Sequence, residues 1–320
     1  MENNVLENTK KVKKKKLVSL QSQRKIFYIT MFALPSIQFA IFYIYVNFNS
    51  IIFAFQSYTP NLNGLGYDVK FAFFDNFKTA WDKIMSADGW DMILNSLQLY
   101  AWNLLFVMPT ALLFSYYISK EYKFSGFFRV ILYLPTIVST LIMALLYKYI
   151  VTDVYGCLTG DKVGLLGGPD TDKIYYTVLF FNIWIAYGSN VMLYTGAMSN
   201  IDTSILEACK LDGANTIQEF IYIYLPLIFP TITTFILTGI AGIFTNQMAM
   251  YHIFGSNVPS FDVFGYFFYR QTAGNPTLFA SAKKMSLPEL SALGLIITAV
   301  IAPITLLVRK GLEKIGPTSD

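Results

Sequence analysis

The chain predicts an all-α fold, a polytopic membrane bundle of about six transmembrane helices with a helix hairpin on the cytoplasmic side. Three observations lead there. Hydrophobic residues make up 54% of the 320 positions and charged residues only 14%, against roughly 25% charged in a soluble domain. Six segments are apolar over the roughly 20 residues that a helix needs to cross the hydrocarbon. The basic residues gather in alternate connections between them, as the positive-inside tendency requires.

Taken in order, the spans are expected at 27–54, 93–118, 128–150, 174–198, 226–250 and 289–308. Residues 1–26 form a basic cytoplasmic tail, 27–308 the transmembrane domain and 309–320 a second cytoplasmic tail. Eight of the 24 Lys and Arg residues precede position 26, among them Lys13 to Lys16. Directly before an apolar run, this reads as an anchor held by anionic membrane lipids rather than a nucleic-acid arm. The apolar stretch after it exceeds the roughly 7–15 residues of a signal-peptide core, so it reads as an uncleaved first span. With the N-terminus inside, fifteen Lys and Arg fall on the cytoplasmic side and nine outside. Both termini are then cytoplasmic and the chain is a multi-pass protein of the cell membrane.

The outer stretches are 55–92, 151–173 and 251–288. Asp75 to Trp90 reads as one amphipathic helix lying on the membrane surface, with Trp81 and Trp90 on it. Gly164, Gly167, Gly168 and Pro169 make the second stretch turn-rich. The third, with Pro259, Gly274, Pro276 and Pro288, is expected to hold a short helix or re-entrant piece. Pro35, Pro109, Pro135, Pro230 and Pro303 fall inside spans, where they mark kinks rather than ends.

No Asp, Glu, Lys or Arg occupies the centre of a span; Lys148 and Glu289 lie at edges. Ion-coupled transporters hold their coupling ion on ionisable midplane groups, so this class is disfavoured. The sequence has no G-x-x-x-x-G-K-[ST], no H-E-x-x-H and no convincing G-x-S-x-G. No enzyme and no cofactor on this chain is expected, and energy for transport has to come from another subunit. A membrane enzyme acting on lipid-linked sugars, the other class weighed, would group carboxylates or basic residues at one membrane face, and no such group stands out. His252 has no metal-ligand neighbours, so no metal site is expected. Cys157 and Cys209 read as packing residues on opposite sides of the membrane.

Polarity within the spans is uncharged. Trp102, Asn103, Trp184, Tyr187, Asn190, Asn246 and Gln247 are the candidates for a solute path, since aromatic faces stack on sugar C–H groups while amides satisfy hydroxyls. Interhelical hydrogen bonding is the competing explanation for the same residues.

The connection 199–226 reads as two short helices around a turn. Asp202 or Thr203 caps the first and Gly213 ends it in the left-handed conformation. Thr216 and Glu219 supply a T-x-x-E capping box for the second, with Ile217, Phe220, Ile221 and Tyr224 on one face. Pro226 separates that helix from the next span.

The spacing in this connection is the most specific feature of the sequence. Glu207-Ala208-Cys209 is followed after three residues by Gly213 and, after a gap of nine, by Ile223, Leu225 and Pro226, with Asp212-Gly213-Ala214 at the turn. This resembles the signature of the permease subunits of binding-protein-dependent ABC importers, with Cys209 for the second Ala as the departure. Asp75-Asn76-Phe77, Tyr133-Leu134-Pro135, Gly164-Leu165-Leu166-Gly167 and Ser291-Ala292-Leu293-Gly294 extend the likeness from about residue 30 onward, and the branch is similar to that of sugar and oligosaccharide permeases. The resemblance implies a second permease as partner, two ATPase subunits that carry ATP and Mg, and an extracellular binding protein that delivers the oligosaccharide. It implies that the coupling loop docks into the ATPase through Glu207, Ala208, Cys209, Asp212, Gly213, Ala214, Ile223, Leu225 and Pro226. A non-sugar solute is the alternative cargo.

Overall fold

The computed structural model describes residues 20–60, 66–161, 163–168, 170–255, 257, 259, 261–273 and 284–316. Most of the basic tail, Pro169, Gly274, Pro276 and residues 317–320 lie outside them. Six helices among the described residues are long and apolar enough to cross a membrane, one from each apolar run.

By its contacts the chain divides into Met1–Phe53 and Ala54–Asp320. The first unit is the greater part of helix α1, Ser22–Ala54, which passes through a π-helical stretch at Ala40–Tyr45. Ile29, Phe32, Leu34 and Tyr45 stand exposed around its circumference, the pattern of a helix solvated by lipid. Its polar side chains bond back to their own backbone: the Thr30 hydroxyl donates to Ile26 O at 2.8 Å and the Asn47 amide to Tyr43 O at 2.6 Å. Such closure is what a backbone in hydrocarbon requires.

The second unit opens with a β-hairpin, β1 Gln56–Pro60 and β2 Tyr67–Phe71, paired antiparallel from Gln56↔Phe71 to Pro60↔Tyr67. It is followed by α2, Asp75–Met85. The buried Asn76 amide donates to Ala54 O at 2.9 Å and Gln56 O at 2.8 Å, which fixes the hairpin to this helix. The single surface helix expected over 75–90 is therefore two elements. Ser86 interrupts it, with extended backbone and a hydroxyl that accepts from Gly89 N at 3.2 Å, and caps α3. That helix runs Ala87–Ser119.

The third span also differs from its expectation. Residues 125–159 form α4, Ser125–Ile137, and α5, Thr140–Thr159, with Val138 and Ser139 extended between them. Only α5 is long enough to cross. Next come α6, Thr171–Ser199; α7, Thr203–Leu211; and α8, Thr216–Gly242. Two short helices, α9 Met250–Phe254 and α10 Phe264–Thr272, lie in the described part of the stretch expected to hold a short helical piece. The last element is α11, Leu287–Ile315, opened by a capping box between Ser286 and Glu289.

Helix α6 lies against α3, α4 and α8. The approach to α4 is close: a Cβ on Gly188 would stand 2.1 Å from Leu132 O, so only glycine fits there. One apolar cluster joins Leu112 and Ile118 of α3, Val191 and Tyr194 of α6, and Ile228 and Ile232 of α8. Another packs α2 and α10 onto the start of α11 through Ala80, Phe264, Phe267 and Leu293.

Candidate functional site

Two features stand apart along the same helices: the α7–α8 hairpin at one end and a polar cavity further along.

Asp202 starts α7, its carboxylate accepting from Ser204 N at 2.9 Å. That backbone bond holds the Asp202 carboxyl below the usual carboxylate range. At the other end Gly213 takes φ +77°. Ala214 N donates to Cys209 O at 3.2 Å and Gly213 N to Lys210 O at 3.1 Å, the pair of bonds that closes a helix in a Schellman motif. Glycine is required because the left-handed conformation costs other residues about 1–2 kcal/mol.

The cap of α8 falls one residue before the expected place. Asn215 is the N-cap, its Oδ1 accepting from Gln218 N while Gln218 Oε1 accepts from Asn215 N, both at 2.9 Å. Thr216 and Glu219 form no box. Glu219 instead turns inward, 6% exposed, and meets Lys120. Nor does Pro226 end this helix. A π-helical stretch at Phe220–Tyr224 leads without a break into the span, and the added residue changes the face. Ile217 and Ile221 are exposed, while Tyr224 is buried and Phe220 partly so.

Of the residues assigned to docking, Ala208, Cys209, Asp212, Gly213, Ala214 and Ile223 line one groove of about 670 Å³ on the hairpin. Glu207 is exposed outside its lining. Leu225 packs against the apolar cluster and Pro226 is within the helix. Cys209 is buried, which explains why a small side chain stands there. Leu211, Ile217 and Tyr222 are 89%, 68% and 71% exposed, and so present apolar surface around Glu207 and the turn.

The cavity, of about 310 Å³, lies between α3, α6 and α8. Asn103, Asn190 and Asn246 line it, joined by Asn182, Tyr100 and Thr238. Asn182 donates to Val178 O at 2.9 Å and Asn246 Oδ1 accepts from Met248 N at 2.9 Å. Among the described residues, no side-chain hydrogen bond engages Asn103 or Asn190, so their amides stay available to a solute. Tyr100 seats its ring on Gly239, where a Cβ would come within 2.7 Å, and donates to Ile236 O at 3.1 Å. No Asp, Glu, Lys or Arg is part of the lining.

The other path candidates lie elsewhere. Trp102 packs on Phe106 with centroids 4.6 Å apart and the rings tilted by 32°, Trp184 meets Phe181 edge-on at 6.5 Å and Tyr187 meets Phe114 at 5.9 Å. Gln247 Oε1 is buried and unpartnered outside the cavity lining. Tyr100 is not among the residues expected at a solute path, and Thr238 of α8 counts only as polarity within its span. The signal for Tyr100 is helical phase, since 99, 100, 103, 104 and 108 line the cavity from α3 and Trp102 does not.

At the far end of α3, Asn95 donates to Asp262 O at 2.9 Å and Phe264 N donates to Ser96 Oγ at 3.1 Å, tying α10 to this helix. Arg270 pairs with Asp262 at 3.0 Å. Burial raises the Asp262 carboxyl above its usual range, with Arg270 acting against it.

A multi-pass bundle with an uncharged polar cavity and an exposed, tightly capped hairpin defines a membrane permease. The chain belongs to the family of binding-protein-dependent transport system inner membrane components, whose model matches residues 113–315. It is 24% identical to the arabinooligosaccharides transport system permease protein AraP of Bacillus subtilis (strain 168), over 88% of this chain and 87% of that one. It is 26% identical to the polygalacturonan/rhamnogalacturonan transport system permease protein YteP of the same organism, over 77% of this chain and 76% of that one. In fold it is similar to a chain in the crystal structure of a bacterial ABC transporter involved in the import of the acidic polysaccharide alginate. There the TM-score is 0.68 at 22% identity, with 93% of this chain and 99% of that chain covered. Family membership leaves no support for an enzyme acting on lipid-linked sugars.

Proposed function

We propose that this permease pairs with a second permease to form the path for a neutral oligosaccharide, delivered by an extracellular binding protein and driven by ATP and Mg on two ATPase subunits. The observation that carries the cargo reading is the cavity, where the free amides of Asn103 and Asn190 stand in a lining without charge. Amides supply donors and acceptors to hydroxyls, and the absence of fixed charge favours a neutral sugar over an acidic one. Names among the similar permeases support an oligosaccharide cargo in general, arabinooligosaccharides and polygalacturonan among them, so the choice of a neutral one rests on the cavity lining alone.

The hairpin is the ATPase-docking element in this reading. Both termini face the cytoplasm with it, and the end holding β1, β2, α9 and α10 faces the binding protein. Exposed Leu211, Ile217 and Tyr222 enter an apolar part of the ATPase groove, and Glu207 meets basic or hydrogen-bonding groups there. The test is transport by the reconstituted complex over a panel of neutral and acidic oligosaccharides, with Glu207→Ala alongside. Import of a neutral oligosaccharide, and loss in Glu207→Ala of the ATPase stimulation given by loaded binding protein, are expected. Import of acidic glycans alone would overturn the cargo, and undiminished stimulation in Glu207→Ala the docking role.

A further inference from the structure

The spacing signature of the hairpin does not include Glu219, yet this is the most deeply buried acidic side chain described at that end of the bundle. Its carboxylate is 8% exposed and forms an ion pair with Lys120, itself 14% exposed. The Tyr116 hydroxyl lies 3.2 Å from Glu219 Oε2 and 3.3 Å from Thr216 O. The Lys120 ammonium also sits 5.8 Å from the ring centre of Tyr116 and 5.6 Å from that of Tyr224, so two aromatic faces add to its pairing.

Local chemistry explains why Glu219 is free for this. Gln218 already completes the capping box with Asn215, leaving the next carboxylate no role at the helix start. The π-helical stretch begins directly after it and carries Tyr224 to the same side. A buried charge pair of this kind contributes little net stability against apolar packing, but losing one partner strands the other. Its value lies in fixing one arrangement of the elements it joins.

Those elements are two of the three helices that wall the cavity. Lys120 and Tyr116 sit at the end of α3, which carries Tyr100 and Asn103 to the cavity. Glu219 sits near the start of α8, which carries Thr238 and Gly239. At 1.5 Å per residue, Glu219 stands roughly 30 Å from Gly239 along its helix and Lys120 roughly 25 Å from Asn103 along the other. The pair is a strut at the loop end of two levers whose far parts bound the solute space.

We propose that Glu219, held by Lys120 and Tyr116, is a positioning residue for coupling: it locks the hairpin to α3 so that movement imposed on the hairpin shifts α3 and α8 together at the cavity. This rests on the docking role proposed for the hairpin. Glu219 itself touches neither ATPase nor sugar.

The test is import per ATP hydrolysed by the complete complex in proteoliposomes, with Glu219→Gln, Lys120→Met and the double variant. Each single variant is expected to lower that ratio at least about fivefold, the low end of site-to-site coupling, with the ATPase subunits still co-purifying in full. The double variant is expected to lose no more than the worse single one, because one interaction is removed twice. A ratio unchanged in Glu219→Gln, or losses that multiply in the double variant, would overturn the strut. If Glu219→Gln fails to assemble, Tyr116→Phe deletes only the hydroxyl beside Glu219 Oε2; a lowered ratio supports the proposal and an unchanged one overturns it. Glu207→Ala, read by binding-protein stimulation of the ATPase, reports separately on docking, so failure of the strut and failure of docking leave different records.

Discussion

Replacing Asn190 by Leu keeps the branched shape and the number of side-chain heavy atoms while removing an amide that lines the cavity and has no side-chain hydrogen bond among the described residues. If that amide serves the solute, a hydroxyl entering the cavity then loses its partner after giving up water. A buried polar group left unsatisfied costs about 1–3 kcal/mol, against about 0.5–1.5 kcal/mol for an average hydrogen bond in a folded protein. Taking about 2 kcal/mol, transport efficiency at subsaturating sugar should fall about 30-fold. Asn103→Leu should do the same by the same reasoning. Asn182→Leu is the internal control: one of its two N–H donors is already spent on Val178 O at 2.9 Å, so it has less to offer a solute and the fall should be about tenfold or less. The assay is initial uptake of labelled oligosaccharide into proteoliposomes, with ATPase stimulation by loaded binding protein recorded in parallel. Equal losses in all three variants, or none in Asn103→Leu and Asn190→Leu, would refute the assignment of the free amides to the path.

Gly188→Ala should force α4 and α6 apart, because its Cβ would stand 2.1 Å from Leu132 O. Overpacking of this order costs about 1–3 kcal/mol, visible as a lower midpoint in thermal unfolding in detergent. Gly213→Val should strain the turn at φ +77° by at least the roughly 1–2 kcal/mol of a left-handed residue, and limited proteolysis should cut the hairpin faster. For Asp202 the folded carboxyl titrates below its unfolded range, so the cap's stabilisation is complete above about pH 4 and is lost as pH falls through the folded value. Protection of the Ser204 amide, measured against its intrinsic exchange rate at each pH, should fall below that point, and Asp202→Asn should flatten this pH dependence.

The apolar runs and the Glu207-to-Pro226 spacing made the six spans and the hairpin legible, because lipid demands long uncharged helices and the turn demands glycine at 213. What stayed hidden depends on partners distant in sequence. T-x-x-E and N-x-x-Q overlap at 215–219, and local pattern cannot rank them. The bundle decides, since Lys120 stands where Glu219 can reach it. The β-hairpin was missed because the amide that secures it, Asn76, belongs to the helix after it. Of the residues singled out for a solute path, Asn103, Asn190 and Asn246 line the cavity and the aromatic ones do not. Trp184 and Tyr187 lie off the face on which Asn182, Ala186 and Asn190 recur.

The prolines show how much depends on the residues around them. Pro109 and Pro226 each follow two residues after a π-helical stretch, Asn103–Val107 and Phe220–Tyr224. A proline in a regular helix clashes with the carbonyl four residues back and donates nothing to it. The wider π turn carries that carbonyl aside, so α3 and α8 run on through both. Pro135 has no such stretch before it, and the chain after it is Thr136-Ile137-Val138-Ser139-Thr140. β-Branched residues lose rotamer freedom in a helix, and here the helix stops at Ile137 and restarts at Thr140, with Ser139 at the N-cap position but making no side-chain cap bond. Helices α3 and α8 are each continuous between the hairpin end and the cavity. With Lys120 and Glu219 joining them, the proposed strut has an unbroken helical path on both sides, whereas α4 and α5 are separated at Val138 and Ser139.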